Sequence, residues 1–100
     1  MRIRWTEKAS CDALAIHAFI ADQSDIYADA VYARIVARPD PQLIDHPMSG
    51  SIVPEYGRND IREVFVHSFR IIYLVLDDEV RILTIIHGAQ TLPTDPPTAA

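Results

Sequence analysis

The sequence predicts an α+β domain of order β-α-α-β-β-β, an N-terminal helix pair packed on an antiparallel sheet. Three observations predict it. Ile3 and Trp5 alternate with Arg2 and Arg4, the period-two pattern of a short strand with one buried face. Between Glu7 and Ala37, apolar residues recur at three- and four-residue spacing in two segments. From Ile61 to Pro93, three apolar runs are separated by the short polar turns His67-Ser68 and Asp77-Asp78-Glu79. A chain of 100 residues, 49% of them apolar, can bury one modest core. A single domain is therefore expected over residues 1–93, with 94–100, short, polar and proline-rich, as a flexible tail.

The elements follow in order. Thr6 can cap the first helix by accepting a backbone N–H, and Glu7 in its first turn is favoured by the helix dipole. Ala9, Ala13, Ile16 and Ile20 form a stripe that can face a sheet, in a helix from about Glu7 to Asp22. Ser24 can cap the second helix, whose stripe is Tyr27 or Ala28, Val31 and Ile35. The link through Gln23 is short enough for an antiparallel helix pair. Pro39 cannot donate a helical hydrogen bond and disfavours a helical Arg38, so the second helix should end near Ala37. Asp40-Pro41 reads as an N-cap followed by proline at the first helical position, opening a short turn of helix through Leu43 and Ile44. Loop signals at His46 to Gly50 and at Tyr56 to Asp60 flank the extended Ile52-Val53.

If His67-Ser68 is a two-residue hairpin turn, Val66 faces Phe69, Val64 faces Ile71, Arg62 faces Tyr73 and Phe65 faces Arg70. Glu63 and Arg70 then share a face. The second turn has two or three residues, and both registers of the last strand, Val80 to His87, remain open. All three runs are apolar on both faces, which calls either for helices curling around both sides or for a partner on one of them.

Charge and cysteine content narrow the function classes. The net charge is −5, and Lys8 is the only lysine. Attraction to a nucleic-acid backbone needs an excess of positive charge, so no direct nucleic-acid binding by the chain alone is expected, and a protein target is favoured. Cys11 is the only cysteine, which excludes an internal disulfide and a cysteine-based zinc site. His17, His46 and His67 show no ligand spacing, so neither a metal nor a cofactor is expected. No apolar run approaches the roughly 20 residues of a membrane span, and Met1 to Trp5 reads as a charged strand. A cytoplasmic location without membrane contact follows as the expectation.

Four segments carry a resemblance: Trp5 through Ile20, the loop His46-Pro47-Met48-Ser49-Gly50, the strands bearing Arg62-Glu63 and Phe69-Arg70-Ile71-Ile72-Tyr73, and His87-Gly88-Ala89 leading to Pro93. In this order the chain resembles the ParE/RelE superfamily of small bacterial toxins, most closely its ParE branch. The resemblance implies the toxin of a type II toxin–antitoxin pair. Its target would be DNA gyrase, trapped in its cleaved-DNA intermediate, and a ParD-like antitoxin would neutralise it in a hetero-oligomer. Such a toxin binds an enzyme and is not one. Arg62, Glu63, Arg70, Ile16, Ile20, Val31 and Ile35 are the candidate partner-binding residues.

The resemblance also implies two alternatives. RelE-like members are ribosome-dependent mRNA endonucleases, whose chemistry needs cations on the scissile phosphate and proton carriers beside it. Arg70, Arg62 and His87 would then be catalytic. Gln90 and Ser51 stand where arginine is usual in such toxins, no aromatic follows Pro93, and a neutral amide cannot replace a guanidinium. The second alternative is a non-toxic module that retains antitoxin binding and has lost its target. Structurally, Arg62, Glu63 and Arg70 also read as a cross-strand ionic network, Tyr73 and Trp5 as core rings, and His87 as a strand terminator bonded locally beside Gly88.

Overall fold

The computed structural model describes residues 1–97, so the end of the expected tail, 98–100, lies outside the described residues. Strand β1 (Arg2–Trp5) leads into helices α1 (Glu7–Ala21) and α2 (Asp25–Ala37) and the short α3 (Gln42–Asp45). Strands β2 (Ser51–Ile52), β3 (Ile61–Val66), β4 (Phe69–Val75) and β5 (Glu79–His87) follow. They form one sheet of order β1-β5-β4-β3-β2. The expected helix pair on a sheet is present, with one addition and one difference. The extended segment after Gly50 joins as β2, and the sheet is mixed, because β1 lies parallel to β5 while the other neighbours are antiparallel. A parallel pair needs a long crossover, which the helices and the β2–β4 meander together supply.

Local chemistry sets the element ends. Thr6 Oγ1 accepts from Ala9 N at 3.1 Å and donates to Ile82 O at 2.8 Å, so one hydroxyl caps α1 and ties it to β5. Ser24 Oγ accepts from Tyr27 N at 3.1 Å, and α2 stops at Ala37 ahead of Pro39, both as the sequence predicts. Asp40 is not the cap of α3. Pro41 holds that position without a side-chain bond, because Leu43 N donates to Pro39 O at 2.8 Å and the backbone itself closes the turn.

The β3–β4 register is that of a two-residue turn, with Val66 opposite Phe69 and Phe65 opposite Arg70. His67 takes the positive φ, 51°, that this turn demands. The undetermined register of β5 is set by a bulge: Ile72 faces Thr84, Tyr73 faces Ile82, and Leu83 is the extra residue.

Even-numbered β3 residues and odd-numbered β4 residues face the helices. Val64, Val66, Ile71, Tyr73, Ile82 and Ile85 pack there against Ala9, Ala13, Val31 and Ile35. Ala28, not the half-exposed Tyr27, supplies the inner position of α2. On the opposite face the chain supplies a cover of its own that is not made of curling helices. Val53, from the loop after β2, and Leu92, from the segment after β5, pack on Ile61 and Ile72, with Tyr56, Leu74 and Ile86 around them. Tyr56 donates its hydroxyl to Pro93 O at 2.9 Å, pinning one irregular segment to the other. Chain without regular structure does the covering, which periodicity does not reveal.

The loop Pro47 to Gly50 is fixed by one phenol. Tyr73, fully buried in the helix-side core, accepts from Gly50 N at 3.0 Å and donates to Pro47 O at 2.8 Å. Gly50 is required here by close approach: a Cβ would stand 2.4 Å from the Tyr73 hydroxyl and 2.6 Å from Glu63 O. Gly50→Ala is therefore expected to destabilise the fold by about 2 to 3 kcal/mol through overpacking and lost hydrogen bonds. Urea unfolding measures this, and a loss within error of zero would mean that the loop moves freely away from Tyr73.

Candidate functional site

Arg70 leaves β4 on the face away from the helices and is only 9% exposed. Its Nε donates to Glu63 Oε1 at 2.6 Å, across the hairpin, and its two terminal nitrogens donate to the two oxygens of Glu55 at 2.8 Å each. Glu55 comes from the loop after β2 and also accepts from Leu92 N at 3.3 Å. One guanidinium thus joins β3, β4, a loop and the C-terminal segment. The fork geometry of arginine suits this arrangement, since each of its three nitrogens donates to a carboxylate oxygen. Hydrogen bonding from Arg70 pulls the Glu55 carboxyl down from 4.5 to about 2, and Glu55 in turn holds Arg70 more firmly protonated.

Arg62 lies elsewhere. It is paired with Tyr73 on the helix-side face and donates to Asn59 O at 3.0 Å, Asn59 Oδ1 at 2.7 Å and Gly50 O at 2.9 Å. It braces two loops. His87 pairs with Phe69, whose ring it meets edge-on at a centroid distance of 5.6 Å. Its Nδ1 accepts from Ala89 N at 3.0 Å, and Gln90 Oε1 accepts from His87 N at 3.2 Å. By strand parity Arg62 and His87 project from one face of the sheet and Arg70 from the other. The three residues of the nuclease alternative do not converge, and the most buried of them is already saturated by carboxylates.

The candidate partner-binding residues divide by burial. Val31 and Ile35 lie inside the core, 1% and 0% exposed, so no partner can reach them in this fold. The α2 stripe read as a contact surface is the stripe that packs on the sheet. Ile16 and Ile20 are half-buried, and Ile16 helps line a groove of about 480 Å³ between α1 and the C-terminal half of β5. Phe19, 74% exposed, stands over that groove. Beyond Trp5, β1 no longer covers β5, and Asp12 accepts from Ile85 N at 3.2 Å on this open edge. Among the described residues there is no group of three or more His, Cys, Asp or Glu residues that could hold a metal, and no helix is long and apolar enough to cross a membrane.

A family model described as the ParE toxin of type II toxin–antitoxin system, parDE, matches residues 3–92. The chain belongs to the ParE toxin family. The comparison with curated proteins returns no match. Among solved structures, this ParE-family chain is similar to one from the chromosomal ParDE toxin–antitoxin system of P. aeruginosa, with TM-score 0.72 and 22% identity over 87% of this chain and 95% of that one. It is also similar to a chain of the RelBE2 toxin–antitoxin complex of Mycobacterium tuberculosis, with TM-score 0.62 and 20% identity over 89% of this chain and 92% of that one. Identities this low speak to the fold, and both agree with the ParE/RelE architecture.

Within this family member, sequence reasoning paired Glu63 with Arg70 through hairpin register and missed Glu55. The only available signal was an acid in a loop beside the apolar Val53 and Tyr56. The Arg70–Glu55 pair has a pH signature. The folded Glu55 carboxyl titrates at about 2 and an ordinary one at 4.5, so its stabilisation is complete above the ordinary value and is lost as pH falls through about 2. Glu55→Gln is expected to cost on the order of 2 kcal/mol at neutral pH, with the gap to wild type closing on acidification. Urea denaturation across the acid range tests this, and parallel stability curves for the two proteins would show that the pair contributes nothing.

Proposed function

We infer that this ParE-family chain acts by binding DNA gyrase and stabilising the cleaved DNA–gyrase intermediate, and that a ParD-like antitoxin neutralises it in a hetero-oligomer. The saturation of Arg70 carries the choice between mechanisms. A ribosome-dependent nuclease needs free cations around a phosphate in the transition state. Here Arg70 is held by Glu55 and Glu63, while Arg62 and His87 lie on the other face in local hydrogen bonds. A poison that acts through surface complementarity needs none of this apparatus. The groove under Phe19, with apolar α1 residues on one side and an open strand edge on the other, suits an antitoxin segment that contributes an apolar side chain and backbone hydrogen bonds.

Induction without antitoxin is expected to cause filamentation and DNA-damage signalling while translation continues at first. Purified protein is expected to trap cleaved DNA with gyrase and to leave ribosome-bound mRNA intact. Early translation arrest with mRNA cut in the ribosomal A site would replace this reading by the RelE-like one. Absence of any phenotype from a folded protein would favour a module that has kept its antitoxin and lost its target.

The antitoxin surface is tested separately. Phe19→Glu removes an exposed ring and should leave the fold intact. It is expected to weaken binding of the antitoxin by about tenfold or more, the loss typical of a central aromatic contact. Unchanged affinity by calorimetry, together with no hydrogen-exchange protection at α1 and the end of β5, would place the antitoxin on another face.

A further inference from the structure

Strand β1 pairs with β5 only as far as Trp5 opposite Ile82, so Leu83 to His87 form a strand edge that no other strand covers. The segment Ile82-Leu83-Thr84-Ile85-Ile86-His87 has the composition of a self-pairing strand: it is apolar and β-branched, it lacks proline, and no aspartate, glutamate, lysine or arginine stands between Arg81 and Asp95. The two outer edges of the sheet are protected in ordinary ways, β2 by its length of two residues and β1 by Arg2 and Arg4. The β5 edge is protected group by group. Thr6 Oγ1 lies 3.3 Å from Leu83 O. Ile85 N donates to Asp12 Oδ2 at 3.2 Å, and that carboxylate is held in place by the buried Thr84 hydroxyl and by Lys8 Nζ at 3.1 Å. His87 N donates to Gln90 Oε1 at 3.2 Å and His87 O accepts from Gln90 N at 2.9 Å, so one residue occupies both groups as a neighbouring strand would.

We propose that Asp12 and Gln90 seal the β5 edge against a second copy of this chain, whose own β5 would otherwise add to it. Edge-to-edge pairing of identical strands is two-fold symmetric, so both copies must free Ile85 N and His87 N together. Freeing Ile85 N displaces Asp12. That leaves the Thr84 hydroxyl, 1% exposed, without its acceptor, and it brings two carboxylates to the same new ladder. Gln90 stands where the resemblance places arginine, and the cap suits the difference: an amide carbonyl accepts from His87 N, whereas a guanidinium has donors only. The seal belongs to the free chain and does not depend on which partner fills the groove under Phe19.

The test is sedimentation velocity over a wide concentration range, with hydrogen exchange on the same samples of the full chain. Wild type is expected to stay monomeric, with slow exchange at Ile85 N and His87 N. In Asp12→Ala/Thr84→Val/Gln90→Ala both acceptors are gone, and the valine leaves no buried hydroxyl unpaired. This variant is expected to self-associate at least about tenfold more tightly. Its two amides should exchange about tenfold faster than in wild type when dilute, and slowly again when concentrated, as the new ladder covers them. Thr84→Val alone keeps the bond from Ile85 N to Asp12, and Gln90→Glu keeps an acceptor at His87 N, so both should remain monomeric. Gln90 is exposed, so Gln90→Ala should fold even if the triple variant does not, and it should speed exchange at His87 N alone. The proposal is overturned if the triple variant, folded by circular dichroism, stays monomeric at every concentration, or if it associates while both amides keep exchanging fast. It is equally overturned if either control associates as tightly, or if Gln90→Ala leaves exchange at His87 N unchanged.

Discussion

The second face of the sheet depends on Arg70. Helices α1 and α2 cover one side only, and the other carries Ile61, Ile72, Leu74 and Ile86, which would otherwise meet water. Covering them takes two irregular segments, and such segments have no ladder of their own to hold them in place. The guanidinium supplies the tie. It draws Glu55 down from the loop after β2, Glu55 in turn accepts from Leu92 N, and the loop and the C-terminal segment close over Ile61 and Ile72. Placing a charge at 9% exposure is costly unless its donors are satisfied, and three charge-assisted bonds satisfy them. Removing Arg70, Glu55 or Glu63 would leave a charge poorly compensated, so the three residues hold as a set.

A second ionic cluster on the same face has the opposite stoichiometry. Glu79, 3% exposed, receives Arg81 at 2.7 Å, Arg4 at 3.1 Å and Arg2 at 3.2 Å. Arg4 and Arg81 are direct neighbours across the parallel β1–β5 pair, a like-charge juxtaposition that works against pairing. The shared carboxylate reverses that sign, and hydrogen bonding from Arg81 first and Arg4 next keeps its pKa below the ordinary value. The one parallel contact in the sheet is thus locked by side chains where backbone pairing is short. Five of the eight arginines in this acidic chain hold a carboxylate, whereas among the described residues Arg34, Arg38 and Arg62 have no carboxylate partner.

How far the fold was legible follows from what each signal encodes. Period-two alternation and a two-residue turn fix a hairpin register completely, so Glu63 and Arg70 could be placed together from the sequence. Hydroxyl caps at Thr6 and Ser24 are local and were equally readable. The register of β5 was not, because a bulge at Leu83 breaks the alternation that would encode it. Glu55 was missed for a similar reason: a loop residue that returns to the sheet leaves no periodic trace. Val31 and Ile35 were identified as a stripe, but a stripe does not say whether it meets a core or a partner. Both helices are apolar on their outer sides as well, at Leu14, Phe19, Ile26 and Tyr27, and this hides the distinction.

Strand parity has a last consequence for what this face can do. Arg70 could serve chemistry on a phosphate only as a free guanidinium, and its environment is decided by residues 55 and 63, not by Arg70 itself. With glutamate at both, two negative charges surround one positive charge, and the local field repels an incoming phosphate. Releasing the arginine would also release Glu55 from β4, and with it the loop that keeps Ile61 and Ile72 dry. Activation of this face as a nuclease site would therefore require opening part of the fold. Two acidic residues thus make Arg70 a strut that holds the loop and the C-terminal segment on this face of the sheet.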